Sequence, residues 1–199
     1  MKYVISGLTA LTLSFSAAAA SLPEQLISCD AHFFSTLYAQ RQALKNTLPL
    51  KQDKHHHAWF VRASENNDIS WFTQPITSGK LTLTGWFQRE SDLGEMGKYY
   101  FWGFVTEQSP AQVIAAMPQT DWKKSGEDYV YQPMIMRVGD KAWKNNANEA
   151  SGIAPAKDSA EKLAMLGKSE GKTTLLCSVQ GNVSGELLNA LRPDLAGNK

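Results

Sequence analysis

The sequence has few of the features that mark common enzymes and nucleic-acid-binding proteins. It contains no phosphate-binding loop, no zinc-protease helix and no dinucleotide fingerprint. It has no excess of either charge, with 20 Lys and Arg against 19 Asp and Glu. Loss of the first 20 residues would remove Lys2 and no acid, leaving 19 residues of each sign. Nucleic acid and anionic membranes are bound mainly through clustered positive charge, so we expect neither as a partner.

Long apolar runs are also missing, except at the N-terminus. The segment MKYVISGLTALTLSFSAAAA combines Lys2, an uncharged run and three small residues before Ser21. This pattern predicts a signal peptide over residues 1–20, cleaved after Ala20. The run is too short and too rich in Ser, Thr and Gly for a transmembrane anchor. We therefore predict an exported protein of the bacterial periplasm, with no membrane insertion after cleavage and a single α+β domain over residues 21–199.

Cysteine is scarce, and the two that occur are Cys29 and Cys177. Two cysteines in an exported chain predict one disulfide. The alternative is a catalytic thiol at Cys29 with His32 beside it, but the sequence signatures of cysteine nucleophiles are absent. A bridge requires that the first structural element contacts the last strand.

Apolar residues predict a helix first and strands after it. One helical face over residues 22–44 is formed by Leu22, Leu26, Cys29, Phe33, Leu37, Gln40 and Leu44. The period then changes to two, in segments that include DISWFTQPI, KLTLTGWFQRE, YYFWGFVTE, DYVYQPMIMRV and GKTTLLCSVQG. Short helices are predicted at SPAQVIAAM, near Asp158 to Leu166, and at SGELLNALRPDL. This order predicts an α+β fold with a largely antiparallel sheet, an N-terminal helix and further helices packed on it.

The run His55-His56-His57 invites a metal site. Alternate residues of a strand share a face, so His55 and His57 could hold one ion. A metal needs further ligands, and the sequence offers only His32, Asp53 or a distant carboxylate. We therefore interpret the run as the solvated entrance of a strand, and we predict no metal and no cofactor.

Trp-Phe pairs recur at residues 59–60, 71–72 and 86–87, and each places a large ring on both faces of the sheet. A two-residue turn at Ser78-Gly79 would set Trp71 opposite Trp86. The resulting polar face would carry two facing indoles on a threonine floor. The predicted binding residues are Trp71, Thr73, Thr82, Thr84 and Trp86, and the alternative is that another element covers them.

Signals for catalysis are weak, and we predict no catalytic residue. Ser159 and Lys162 fit the S-x-x-K motif of serine β-lactamases, but the accompanying S-D-N element is absent and Lys172-Thr173-Thr174 lacks the glycine of K-T-G. Paired carboxylates could come from Glu90, Asp92, Glu95, Glu107, Glu127 and Asp128.

The sequence favours a non-catalytic envelope protein that binds another macromolecule, most simply a protein, in the manner of an inhibitor or immunity-type protein. One alternative is an envelope hydrolase that uses carboxylates. The other is a glycan-binding module that uses the tryptophan and threonine face.

Overall fold

A large antiparallel sheet dominates the computed structural model, which describes residues 21–146 and 155–196. The helices are α1 (Leu22–Leu26), α2 (His32–Leu44), α3 (Pro110–Ala116) and α4 (Gly185–Leu191). The strands are β1 (Leu50–Gln52), β2 (Ala58–Phe60), β3 (Ile69–Ser78), β4 (Leu81–Asp92), β5 (Lys98–Thr106), β6 (Lys123–Ser125), β7 (Asp128–Arg137), β8 (Lys144–Asn145), β9 (Ser159–Ser169) and β10 (Lys172–Gly181). The predicted α+β class with an N-terminal helix is confirmed.

Two antiparallel meanders meet at the centre of the sheet. The strand order is β3-β4-β5-β10-β9-β7-β6, with β8 paired to β7 at one edge. β5 pairs with β10 over nine consecutive residue pairs, from Lys98↔Gly181 to Thr106↔Thr173. β1 and β2 form a separate hairpin. The last strand of the chain therefore lies in the middle of the sheet.

The four helices pack against one face of this sheet. The main core cluster contains residues from every helix, among them Leu26, Phe33, Val113 and Leu191. Two smaller clusters, one that includes Phe87 and one that includes Val130, contain only strand residues. The helices and the β1–β2 hairpin therefore cover one side of the sheet, and the smaller clusters lie on the other side.

The disulfide between Cys29 and Cys177 is confirmed, and it joins the N-terminal helices to the central strand β10. The single helix predicted over residues 22–44 is wrong, because the chain breaks between α1 and α2. Cys29 has a left-handed backbone with φ of 52°. At the break the Ser28 hydroxyl donates to the Gln25 carbonyl, and the Asp30 carboxylate accepts the His32 N–H. Such local side-chain bonds compete with helix continuation.

The helix predicted near Asp158 to Leu166 is also wrong, because this segment is strand β9. β9 pairs with β10 on one side and with β7 on the other, and most of its residues are buried. Its Ala, Glu, Lys and Leu residues favour helices intrinsically, but pairing with two strands outweighs that weak preference. Burial on both faces also removes the alternation by which a strand is recognised.

The β3–β4 hairpin differs from the predicted register by one residue at its turn. Ser78 pairs with Leu81, so the turn residues are Gly79 and Lys80 rather than Ser78 and Gly79. Gly79 has φ of 61°, which glycine adopts at no steric cost. A further irregularity between Trp71 and Ile76 shifts the pairing again. Trp71 consequently faces Gly85, and the predicted pairing of Trp71 with Trp86 is wrong.

The C-terminal segment is anchored by a fully buried arginine. Arg192 donates to both carboxylate oxygens of Asp194, at 2.8 and 2.6 Å, and its guanidinium lies 4.6 Å from the centre of the Trp102 ring. Since a buried charge is tolerated only when it is paired, this cluster holds the end of the chain against β5.

The predicted signal peptide lies outside the described residues. Within residues 21–146 and 155–196, no helix is both long enough and apolar enough to cross a bilayer.

Candidate functional site: the sheet face opposite the helices

The sheet face opposite the helices is the main candidate site, and we call it the open face. No other element among residues 21–146 and 155–196 contributes to its two apolar clusters. The apolar residues of the open face are Ile69, Phe87, Phe101, Val105, Val130, Leu163, Met165 and Leu176. A sheet in a two-layer fold usually has one covered and one solvated face, and the solvated one is normally polar. This face has instead an apolar centre, in which Phe101 and Met165 are half-buried and the other six residues are buried by their neighbours.

A shallow groove of about 240 Å³ runs across the middle of the open face. Its apolar wall is formed by Phe87, Phe101, Met165 and Leu176. The side chain of Asp128 occupies the space that a Cβ atom at residue 167 would fill, so Gly167 lets this acid lie flat on the sheet. The groove can therefore accept an apolar side chain beside a carboxylate.

An exposed tryptophan stands at one side of the open face. Trp71 is 51% exposed, which is unusual for so large an apolar side chain. A Cβ atom at residue 85 would lie 3.2 Å from the Trp71 ring, so Gly85 allows the indole to rest on β4. Trp71 and Thr84 also line a second groove of about 350 Å³, together with Thr106, Glu107, Gly171, Lys172 and Thr173.

One arginine on the open face is held rigidly. The Arg89 guanidinium lies 5.3 Å from the centre of the Phe87 ring. Its Nε donates to the Asp68 carboxylate at 2.8 Å, and Arg62 contacts the same carboxylate at 3.4 Å. An arginine fixed on an aromatic ring loses little side-chain entropy when it contacts a partner.

The five predicted binding residues do not form one surface. Trp71 and Thr84 line the same groove, but Trp86 is 1% exposed and stacks on Phe33 in the helix-covered core. Thr73 donates its N–H to the Thr47 carbonyl, and the Thr82 N–H donates to the Gln108 side chain. The prediction of two facing indoles fails because the irregularity between Trp71 and Ile76 changes the pairing by an odd number of residues, which places Trp86 on the other face.

The three histidines lie in the turn of the β1–β2 hairpin and directly precede β2, with His55 and His56 exposed, as expected for the solvated entrance of a strand. His56 has φ of 64°, and its ring stacks on Tyr38 with centres 4.9 Å apart. The Asp53 carboxylate accepts the N–H groups of His55 and His57 and lies 2.8 Å from the His57 ring nitrogen. Within the described ranges, no three His, Cys, Asp or Glu residues are placed to hold a metal ion.

Asp53 gives this hairpin a pH-dependent contribution to stability. Burial acts to raise its pKa, but the hydrogen bonds from His57 and His55 outweigh burial, so the pKa lies below 3.8. The stabilisation is therefore full above pH 3.8 and disappears as the pH falls through the lower folded-state value.

We expect Asp53→Asn to be less stable than wild type at pH 7 and the two proteins to converge below pH 3.8. Urea denaturation at a series of pH values measures this difference. The exposed acid variant Glu65→Gln is the control, and a gap for Asp53→Asn that persists at low pH would contradict the assignment.

The weak sequence signals for catalysis, from which we predict no catalytic residue, do not converge in the structure. Ser159 and Lys162 lie on strand β9, where residues three apart point to opposite faces, so the S-x-x-K reading is wrong. Five of the six candidate carboxylates are exposed, and Asp128 is half-buried on the open face. Glu90 and Asp92 share one side of β4, and together with burial they raise the pKa of Tyr100.

Sequence reasoning missed Phe101, Met165 and Arg89 as members of a common surface. Arg89 on β4 and Phe101 on β5 are directly paired. Met165 lies on β9, which reaches the same part of the sheet because β10 pairs with both β5 and β9. The available signal is that both alternations of YYFWGFVTE are apolar, a pattern typical of a strand that is buried on both faces.

No known family model matches the chain, and no curated protein or solved structure is similar to it.

Proposed function

We propose that this chain is an exported, non-catalytic protein that binds another protein through its open face. The observation that carries the proposal is an apolar sheet face, with an exposed tryptophan and a fixed arginine, on the side away from every described helix.

The composition of the open face is that of a protein interface rather than of a solvated surface. Protein interfaces are enriched in aromatic residues, Met and Arg, and the strongest contributions come from Trp, Tyr and Arg. The open face offers Trp71, Phe101, Met165 and Arg89. These side chains project from paired strands, whose backbone is already ordered. Binding of a partner therefore costs little backbone conformational entropy.

The charges around the open face favour a protein partner. Arg89 and Lys168 stand near Asp128 in one groove, and Lys172 stands near Glu107 in the other. Because positive and negative side chains are mixed in both grooves, the surface has no positive electrostatic potential that would attract nucleic acid or an anionic membrane. It suits a partner that presents apolar side chains flanked by charges of both signs. The mode of action we favour is that of an inhibitor or immunity-type protein.

The disulfide supports export to an oxidising compartment, since such bonds are rare where thiols are kept reduced. Together with the N-terminal signal pattern, it makes the bacterial periplasm the compartment in which we place the interaction.

Photo-cross-linking in the native compartment tests this proposal. A photoreactive phenylalanine analogue at residue 71 should give one dominant cross-linked protein. The same analogue at residue 138, where Val138 is 76% exposed outside the open face, should not. The cross-linked protein is then purified, and its affinity is measured by calorimetry. Trp71→Ala should weaken binding by about thirty-fold, as expected for a hot-spot tryptophan.

Val138→Ala is the matched control, and both variants should keep the wild-type melting temperature. Equal affinity of Trp71→Ala and wild type would contradict the proposal. A cross-linked product that contains only two copies of this chain would show self-association instead of binding to a different protein.

A further inference from the structure

A second cleft lies mainly on the helix-covered side of the sheet and shares Leu163 with the open face. It has a volume of about 390 Å³, within the range of small-molecule sites. Four separate parts of the chain form it: the α1–α2 connection, the irregular part of β7, the Trp143 segment and β9. Its lining residues are Ile27, Ser28, Cys29, Asp30, Gln132, Met134, Trp143, Asn145, Lys162 and Leu163.

The backbone around this cleft is held in two uncommon conformations. Cys29 has φ of 52° and Gln132 has φ of 47°, and neither is glycine. The disulfide fixes Cys29 to β10, and the irregularity between Tyr131 and Met134 turns Gln132 out of the β7 ladder. Residues in this region of backbone space persist only where the surrounding structure imposes them, and they are concentrated at ligand sites.

Lys162 is the central polar group of the cleft. Its Nζ donates to the Ser28 carbonyl at 3.2 Å and lies 5.3 Å from the centre of the Trp143 ring. Burial lowers the pKa of Lys162, and the carboxylate of Asp30 partly opposes this effect. An ammonium group has three N–H donors, so in the described residues two donors of Lys162 are left for a ligand.

Three further polar side chains of the cleft have unused hydrogen-bonding capacity. Asp30 uses one oxygen, Oδ1, for its contacts with Ser28 and His32. Its Oδ2, and the side-chain amides of Gln132 and Asn145, have no hydrogen-bond partner among residues 21–146 and 155–196. The cleft thus presents donors and acceptors together, around an aromatic ring.

The charges and the hydrogen-bonding groups of the cleft indicate which class of ligand it can bind. Among the described residues, Lys162 and Asp30 are the only charged residues of the lining, and their charges cancel. A carboxylate ligand would use Lys162 but would be repelled by Asp30. Hydroxyl groups both donate and accept, so a polyhydroxylated ligand can satisfy all four polar groups at once. The C–H groups of a sugar ring can also rest against the electron-rich face of an indole.

We propose that the cleft formed by Lys162, Trp143, Asp30, Gln132 and Asn145 binds a neutral saccharide. Lys162 donates to hydroxyl oxygens, Asp30 accepts from hydroxyl groups, and the two amides do both. Trp143 provides the apolar platform. Apart from Leu163, this site shares no residue with the open face, so the proposed contacts for a saccharide and for a protein partner are separate.

A ligand-observed NMR titration tests the proposal with three neutral probes: chitotriose, maltotriose and cellotriose. At least one probe should bind wild-type protein with a saturable isotherm. Trp143→Ala should lower its affinity at least tenfold. Gln132→Asn shortens the amide arm and tolerates the left-handed backbone at residue 132, so it should weaken binding without changing the melting temperature. Trp71→Ala is the matched control, and its affinity for the saccharide should equal that of wild type.

Three results would overturn the proposal: no binding of any neutral probe, unchanged affinity in both cleft variants, or preferential binding of the anionic probe trigalacturonate. Lys162→Met separates ligand binding from a purely structural role. Loss of saccharide binding at an unchanged melting temperature supports a ligand contact. A lower melting temperature with normal saccharide binding would instead show that Lys162 only secures the Ser28 carbonyl.

Discussion

Trp86→Ala should lower the free energy of unfolding by about 3–5 kcal/mol, the usual loss when a buried aromatic residue is truncated in a core. Trp86 is 1% exposed and lies among three phenylalanine rings. Its ring is parallel to that of Phe33, with centres 5.7 Å apart, and it lies 5.4 Å from both Phe60 and Phe104. Removal of the indole leaves a cavity that rings carried by α2, β2 and β5 cannot easily fill.

Urea denaturation of wild type, Trp86→Ala and Trp71→Ala measures the effect. Trp71→Ala is the matched control, because it removes the same side chain from an exposed site, where substitutions typically change stability by about 0.5 kcal/mol or less. Equal losses for both variants would mean that Trp71 is also part of a packed core, and the open face would then not be free for a partner.

The disulfide should contribute about 5 kcal/mol, which places its removal beside Trp86→Ala as the largest effect expected. Cys29 and Cys177 are separated by 148 residues, and in the chain-entropy model a loop of this length greatly restricts the unfolded chain. The double variant Cys29→Ala/Cys177→Ala should show this loss in urea denaturation without reductant.

Reduction provides the internal control for this measurement. Dithiothreitol should lower the stability of wild type to that of the double variant, and it should leave the double variant unchanged. Wild type that keeps its stability after verified reduction would show that packing around Leu26 and Cys177, rather than the covalent bond, fixes α1 to β10.

The sequence predicts the parts of the fold that depend on local chemistry. Ser109 and Pro110 start α3 as predicted, with a capping box between Ser109 and Gln112. Pro133 predicts an irregular strand, and the β7–β9 pairing shifts between Tyr131 and Met134. The predicted signal peptide and the pair of cysteines together predict the bridge that is found.

The errors arise where distant contacts determine the outcome. β9 forms a strand because β7 and β10 pair with it on either side, and no local pattern records that pairing. At Ser78-Gly79-Lys80, glycine is acceptable at either central position of a hairpin turn, so the sequence permits two registers. The irregularity between Trp71 and Ile76, which no local pattern predicts, then moves Trp86 from one face to the other.

The candidate site was only partly predictable for the same reason. The alternation of polar and apolar residues along β3 and β4 predicts Trp71 and Thr84 as binding residues, and both line one groove. Met165 joins Phe101 and Phe87 across three strand pairings, two of which involve β10. The Lys162 cleft depends on a helix break, a strand irregularity and a disulfide, which bring together residues more than 100 positions apart.

The central position of β10 also constrains when the chain can fold. Until residues 172–181 have been synthesised, the β3–β4–β5 and β7–β9 portions of the sheet have no strand between them, and β5 and β9 expose unpaired edges. Pairings over such long sequence separations form late, because they must first offset the entropy of loop closure. A nascent chain therefore stays without its complete sheet until Gly181 has left the ribosome. If the chain is exported as proposed, this delay keeps it unfolded enough to pass through a translocation channel. The sheet is then completed only in the compartment where Cys29 and Cys177 can be oxidised.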